Sequence, residues 1–342
     1  MKKFEIGIYS LAEILEDPFS RYIPSFSQKI NEMIQMADYA DKLGLDLFGV
    51  GEHHRLDYAV SSPQVVLSSI AQRTKQIKLT ALTSLLNTAD PVRLFEDFAT
   101  LDLLSDGRVE FTAGRGAFVE AFPLFGYDEA KYDELFEEHL QLFLTLNEEK
   151  RVTWEGQFRP ALQDAEISPR PKQAKLPISI GVGGTIESAQ RAGQNGCGLT
   201  VVMIGGIVKK YLPLIETYKQ SFQGNSPYIS IAAHTFIRET EAEIEKEFYQ
   251  YYGKYWSHLT SHGIGGAMGV ARTDMAYITS EQSTLLVGTP AQIIRKIHYQ
   301  RELFGHHRFL AQVDFGGLPI EKVKKTIHLL ATEVAPAINN SF

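Results

Sequence analysis

Thiol chemistry is almost missing from this chain. Cys197 is its only cysteine, so no internal disulfide can form and cysteine-based zinc sites are excluded. Long apolar runs are missing too: no window reaches the ~18 uninterrupted apolar residues of a membrane span. Met1-Lys2-Lys3 passes directly into the alternating Phe4–Tyr9 and not into the apolar stretch of a secretory signal. A cytoplasmic protein without a membrane partner is expected. Positive charge is not in excess either. The formal net charge is −7, which leaves no basic surplus to release counterions from a nucleic acid.

Several catalytic signatures are also absent. No Gly-x-Gly-x-x-Gly stands between a strand and a helix, which disfavours a dinucleotide-binding unit. No Gly-x-x-x-x-Gly-Lys-Ser/Thr loop occurs. The first strand carries no His-x-His pair, so a metallohydrolase is disfavoured and no metal is expected. Lys78 lies near the start of its strand and not at a carboxyl end, which argues against a Schiff-base aldolase.

What is present is a rhythm. Short apolar runs at Glu5–Tyr9, Leu45–Val50, Ile77–Leu82, Val109–Ala113, Ile178–Val182, Leu199–Met203, Ile229–Phe236 and Phe309–Val313 alternate with helical patterns. The first helical pattern covers about Gln28–Leu43. Pro63 opens the second, with Ser62 as its expected N-cap, and Asp90-Pro91 opens the third. Later helices are expected at about Glu129–Leu146, Glu241–Tyr255 and Ile320–Val334, and a small hairpin around Val152–Phe158. Eight strand-then-helix units point to α/β architecture, a (β/α)8 TIM barrel, with an open doubly wound sheet as the alternative. The 342 residues suit one barrel domain over 1–342, since ~250 suffice for a bare barrel. The glycine-rich stretch from about 256 to 287 breaks the rhythm and is expected to be an insertion before the last barrel helix, at the pocket mouth.

Barrels keep their active sites at the carboxyl ends of the strands. There stand Glu52, His53 and His54 after the second strand, and Gly114-Arg115-Gly116 after the fourth. On extended backbone, neighbouring side chains point apart, so one histidine is expected to face the pocket and the other to anchor structure. Arg115 between glycines suits bidentate contact with a phosphate; a surface salt bridge is the plain alternative. Gly181-Val-Gly-Gly-Thr-Ile-Glu-Ser188 follows the fifth strand and opens a helix, a natural anion site. Asp314-Phe-Gly-Gly-Leu318 after the eighth strand is its rival. Phe111, Phe118 and Phe122 could line an apolar or aromatic substrate pocket or simply fill the core.

Read in order, Glu52-His53-His54, Asp90-Pro-Val-Arg93, Leu101-Asp-Leu-Leu-Ser-Asp-Gly-Arg108, Gly114-Arg-Gly116, Gly181-Val-Gly-Gly-Thr with Glu187-Ser188, Val287-Gly-Thr-Pro290 and Asp314-Phe-Gly-Gly resemble the bacterial luciferase-like flavin monooxygenases. The resemblance spans nearly the whole chain. It implies a barrel that takes reduced FMN as co-substrate, usually from a separate flavin reductase, and uses O2 to oxygenate a small organic substrate, aldehyde-like or otherwise apolar. It also implies a homodimer. Residue by residue it assigns proton transfer to His53 beside Glu52, and phosphate contact to Arg115, Gly183, Gly184, Thr185 and Ser188. It places Leu82-Thr83-Ser84 where the family often has a non-prolyl cis peptide beneath the flavin. The family's luminous α chain has a reactive cysteine where this chain has Gly114, so a non-luminous oxidoreductase is expected. A deazaflavin-dependent hydride-transfer dehydrogenase and a non-catalytic flavin-binding protein are the alternatives.

Overall fold

In the computed structural model, residues 3–116, 118–261 and 275–341 are described. Eight parallel strands close into a barrel: β1 Glu5–Ser10, β2 Leu47–Val50, β3 Lys78–Ala81, β4 Val109–Gly114, β5 Ile178–Val182, β6 Gly198–Met203, β7 Ile229–Ile237 and β8 Arg308–Gln312. Each pairs with the next in sequence, and β8 returns to β1 with Glu5 opposite Arg308 and Tyr9 opposite Gln312. Closure decides between the two architectures the rhythm allowed. The fold is a (β/α)8 barrel, which leaves no sheet edge between β1 and β8.

The helices are α1 Phe26–Lys42, α2 Pro63–Arg73, α3 Pro91–Leu104, α4 Tyr132–Glu148, α5 Ile186–Gln194, α6 Leu212–Ser221, α7 Glu241–Ser261, α8 Pro290–Phe304 and α9 Ile320–Leu329. Caps explain several starts. Ser25 and Gln28 form a capping box on α1, and Asp90 accepts from the Val92 and Arg93 amides at the start of α3. Ser62 stands at the α2 N-cap position, but its side chain makes no capping bond; Pro63 supplies the start instead. The hairpin pairs Arg151–Trp154 with Leu162–Glu166, so its second arm falls later than the glycine at 156 suggested. After α9 the chain takes a π-helical turn, Leu330–Val334, then the helix Ala335–Asn340, in place of one continuous helix.

The expected insertion is more ordered than its sequence suggested. Helix α7 runs on to Ser261, a short helix covers Met275–Thr279, and Leu286–Gly288 pairs in parallel with the end of β7. Residues 262–274, with the whole of Gly263–Gly269, lie outside the described residues. Among the described residues, no helix is long and apolar enough to cross a membrane.

The two ends of the barrel differ. At the amino end, Arg308 bonds Glu5 at 2.7 Å and Glu110 at 2.7 Å, while Lys78 reaches Glu5 at 2.7 Å and Glu110 at 3.2 Å. This paired cluster closes that end. Above it Tyr9, Leu47, Leu82, Ala232 and Leu310 pack inside the barrel. The carboxyl end is open, and the cavity lies there.

Candidate active site

A cavity open to solvent sits at the carboxyl ends of the strands. Its walls include Tyr9 of β1, Glu52, His53 and His54 after β2, Leu82 and Thr83 after β3, His234 of β7 and Gln312 of β8.

Both histidines line it. The expectation that one would turn away fails: β2 ends at Val50, and the two histidines stand on the loop beyond it. Their surroundings nevertheless differ. His54 Nε2 lies 3.1 Å from Glu52 Oε1, and the other Glu52 oxygen accepts the Leu85 amide at 3.0 Å. Glu52 thus ties the β2 loop to the β3 loop. His53 stacks on Tyr58 with ring centroids 4.1 Å apart and meets the edge of Phe118. Its Nδ1 is buried with no hydrogen-bond partner among the described residues. Burial pushes the His53 imidazole down to about 3, against the pull of Asp57. At neutral pH it is an uncharged ring with a free nitrogen.

The Leu82–Thr83 peptide bond is cis. The Thr83 side chain sits between two strands that can hold it only because both carry glycine. A Cβ on Gly114 would lie 1.7 Å from Thr83 Oγ1, and one on Gly181 would lie 2.5 Å from its Cγ2. Leu82 and Thr83 line the cavity; Ser84 does not, and its buried hydroxyl has no hydrogen-bond partner among the described residues.

Beside Thr83 lies the proposed anion loop. Arg115 donates from Nη2 to Ser188 Oγ at 2.7 Å and from Nη1 to Asp133 at 2.5 Å. Its guanidinium also lies 5.1 Å from the Tyr132 ring centroid. Gly183 and Gly184 face open space. Thr185 is the N-cap of α5 without a side-chain capping bond, so its hydroxyl is uncommitted to the helix end. The site gathers Arg115, Ser188 and the glycine loop at a helix N-terminus, where backbone amides favour an anion. Sequence reasoning missed Arg191, one turn along α5 from Ser188. It bonds Glu137 at 2.7 Å, lies 3.8 Å from Asp133, and keeps one buried nitrogen without a partner. Its spacing from Ser188 was the available signal.

The rival loop after β8 is closed. Asp314 pairs with Lys29 at 3.0 Å and accepts from Ser10 at 2.5 Å. A Cβ on Gly316 would lie 1.9 Å from the Tyr251 carbonyl, and one on Gly317 2.3 Å from that of Glu16. Backbone fills the space an anion would need.

Of the three phenylalanines, only Phe118 lines the cavity. Phe111 stacks on Phe143 of α4 at 4.1 Å, and Phe122 on Tyr132 at 5.6 Å, so both are core. The sequence reading also missed Tyr9, His234, Tyr255 and Gln312, all buried and all lining the cavity. Gln312 closes β8 and Tyr9 stands one residue before the end of β1, which was the signal to use.

Comparison with known proteins agrees with this geometry. A family model for luciferase-like monooxygenases matches residues 5–307. The chain belongs to that family and is an enzyme of the flavin-dependent monooxygenase class. It is similar to the oxygenase component of a flavin-dependent trigonelline monooxygenase from Acinetobacter baylyi, 22% identical over 92% of this chain and 91% of that protein. An F420-dependent glucose-6-phosphate dehydrogenase from Amycolatopsis mediterranei is 29% identical over 49% of this chain and 52% of its own. Among solved structures, the monooxygenase RslO1 from Streptomyces bottropensis superposes with a TM-score of 0.84 at 23% identity, covering 97% of this chain and 99% of that one.

Proposed function

We propose that this enzyme binds reduced FMN, received from a separate reductase, and uses O2 to oxygenate a small organic substrate. The observation that carries the reading is the 2.7 Å contact of Arg115 with Ser188 beside the open Gly183-Gly184 loop. It joins a cation, a hydroxyl and a helix N-terminus at one place, on the strand-five loop whose Gly181 lies against Thr83 of the cavity wall.

The residues fit the cofactor. Arg115, Ser188, Thr185 and the two glycines would hold the phosphate, and Leu82 and Thr83 would bear on the ring system. Bound reduced flavin supplies the electrons that activate oxygen. The chain supplies the rest. Neutral His53 offers Nδ1 to accept or return a proton in the cavity. Glu52 fixes the loop that carries His53 and His54. The apolar walls limit water, which protects reactive species. The whole of residues 1–342 acts as one barrel domain, and a homodimer is its expected assembly.

A deazaflavin-dependent dehydrogenase is the second reading, favoured by the F420-dependent relative. That likeness covers half of the chain, while the flavin-dependent monooxygenase matches almost all of it. Anaerobic titration with FMNH2 followed by mixing with O2 and measuring oxygen uptake separates the two. Tight binding with substrate-stimulated oxygen uptake supports the monooxygenase. Binding of F420 alone, with no oxygen consumed, overturns it.

A further inference from the structure

The loop after β8 does hold an acid group, but one from this chain. The Gly316 amide donates to Glu13 Oε2 at 3.1 Å, and Gln312 Nε2 reaches Glu13 Oε1 at 3.5 Å. Glu13 follows β1 and is 3% exposed. It stands in a wall between two cavities. On one side it meets Gln312, which lines the cavity at the strand ends. On the other side Glu13 itself lines a second cavity, open to solvent, with Asp17, Lys29, Glu32 and Gly317.

Charge in this wall does not balance. One oxygen of Asp314 accepts from the Ser10 hydroxyl at 2.5 Å and pairs with Lys29 at 3.0 Å. Its other oxygen is buried with no hydrogen-bond partner among the described residues. Glu13, Asp314 and Lys29 are all buried. Two buried carboxyls thus face one ammonium, and that ammonium is committed to Asp314. Glu13 is left with two neutral donors. A buried unpaired charge is costly, and carboxyls that share a site hold back a proton.

The other neighbours do not supply the missing charge. Asp57 of the β2 loop is a further carboxyl, already tied to Arg55 at 3.0 Å and to His258 of α7 at 2.7 Å. Glu32 of α1 is another, on the second cavity. Tyr9, Tyr58 and Tyr255 face Glu13 from β1, the β2 loop and α7. Burial raises all three phenols, with Asp314 and Glu13 adding to it at Tyr9 and Glu13 at the other two, so each stays uncharged. Burial and then the Asp314 carboxyl push Glu13 up to about 8, against the pull of the Gly316 amide and Lys29.

We infer that this wall stores one exchangeable proton on Glu13, and that Glu13 takes up a proton from solvent through the second cavity when negative charge enters the first. The step joins a Glu13 carboxylate and a solvent proton into the carboxylic acid, and it reverses when the charge leaves. The inference rests on the FMN reading, which names the charge: the reduced ring is an anion at mildly alkaline pH, whereas the oxidised ring is neutral. Glu13 acts from behind Gln312, across a buried wall where charges are felt more strongly than in water.

The test is anaerobic calorimetry of FMN binding in buffers of different ionisation enthalpy, which counts the protons taken up per site. At about pH 8 to 9 the phosphate is ionised and histidines are neutral, so neither masks Glu13. A tenfold gain in proton affinity amounts to about half a proton midway through the change. Reduced FMN is expected to draw in about half a proton more than oxidised FMN near pH 8.5. The excess should vanish in Glu13→Gln, which keeps the size and removes the acid, and persist in Glu13→Asp. No excess in the wild type, or the same excess in Glu13→Gln, overturns the inference. Carbon NMR of the flavin-free protein, labelled at its glutamate carboxyls, is the second readout. One glutamate should titrate near 8, and its signal should be lost in either variant. Should Glu13→Gln fold poorly, Glu13→Asp assigns the signal. If neither form of FMN binds, the monooxygenase reading has failed; the stored proton then stands or falls on that titrating glutamate.

Discussion

Gly114 and Thr83 occupy one space. A Cβ on Gly114 would fall 1.7 Å from the Thr83 hydroxyl and 2.4 Å from its Cβ, while Gly181 closes the other side. Thr83 cannot move aside without displacing β5. The cysteine that the family's luminous α chain carries here therefore has no room beside this Thr83. Gly114→Ala is expected to destabilise the fold by about 1–3 kcal/mol, as overpacking does, and to weaken flavin binding at least ten-fold. Thr83→Gly in the same chain should recover much of the stability. Thermal melts of the two single variants and the double variant measure the coupling; strict additivity would dismiss the clash.

Arg115 is held by Ser188 on one side and by Asp133, 66% exposed at its side chain, on the other. Arg115→Ala should weaken FMNH2 binding by roughly 10- to 150-fold, the range for a lost charge-assisted contact of ~1.5–3 kcal/mol. Asp133→Asn should act in the opposite direction. It removes a solvent-screened competitor worth ~0–1 kcal/mol, so affinity should rise up to about five-fold. Anaerobic titration of both variants checks the pair of signs. Equal weakening by both would mean that Asp133 organises the site and does not compete for it.

Three histidines are held neutral by burial: His53 at about 3, His234 at about 4 and His306 at about 3. The unfolded chain takes up these protons near the ordinary value of 6.5, and the folded chain does not. Folded pKa values are lowered, so stability is fully present above about pH 6.5 and falls as pH drops toward 4. Each such group contributes at most ~1.4 kcal/mol per pH unit in that window. His306 packs edge-on to Phe4 far from the cavity, so His306→Leu should flatten the acid limb by about one proton. Urea denaturation between pH 4 and 7 measures the slope; an unchanged slope would mean that His306 protonates in place.

Lys296 is fully buried on α8 and donates to the carbonyls of Ile278 at 2.5 Å and Leu285 at 2.6 Å. Burial pushes its amine down to about 7. It fastens the returning leg of the insertion to the barrel. Lys296→Met keeps the volume and strands two carbonyls, for a loss of about 1–3 kcal/mol. Amide exchange of residues 278–287 should quicken while the β1–β8 core keeps its protection. Uniform quickening across the barrel would assign Lys296 to global stability.

Much of this protein was legible in one dimension. Alternation of apolar runs and helical patterns fixed the eight units, because a parallel strand buried on both faces must be apolar and its crossover helix must be amphipathic. The Asp90-Pro91 cap, the paired glycines around Arg115 and the strand-five loop were readable because local backbone demands particular residues. Three things were not. Which loop has room for an anion depended on what fills the space beyond it: open beside Gly183 and Gly184, backbone beside Gly316 and Gly317. Both histidines turned into one cavity because the chain leaves the strand at Gly51, a local departure with no periodic signal. Tyr9 and Tyr255 line one cavity although they stand 246 positions apart in sequence, so only barrel closure could bring them together. Local pattern is set by each residue's own backbone and burial, whereas a site is set by distances between elements, and those exist only once the barrel has closed.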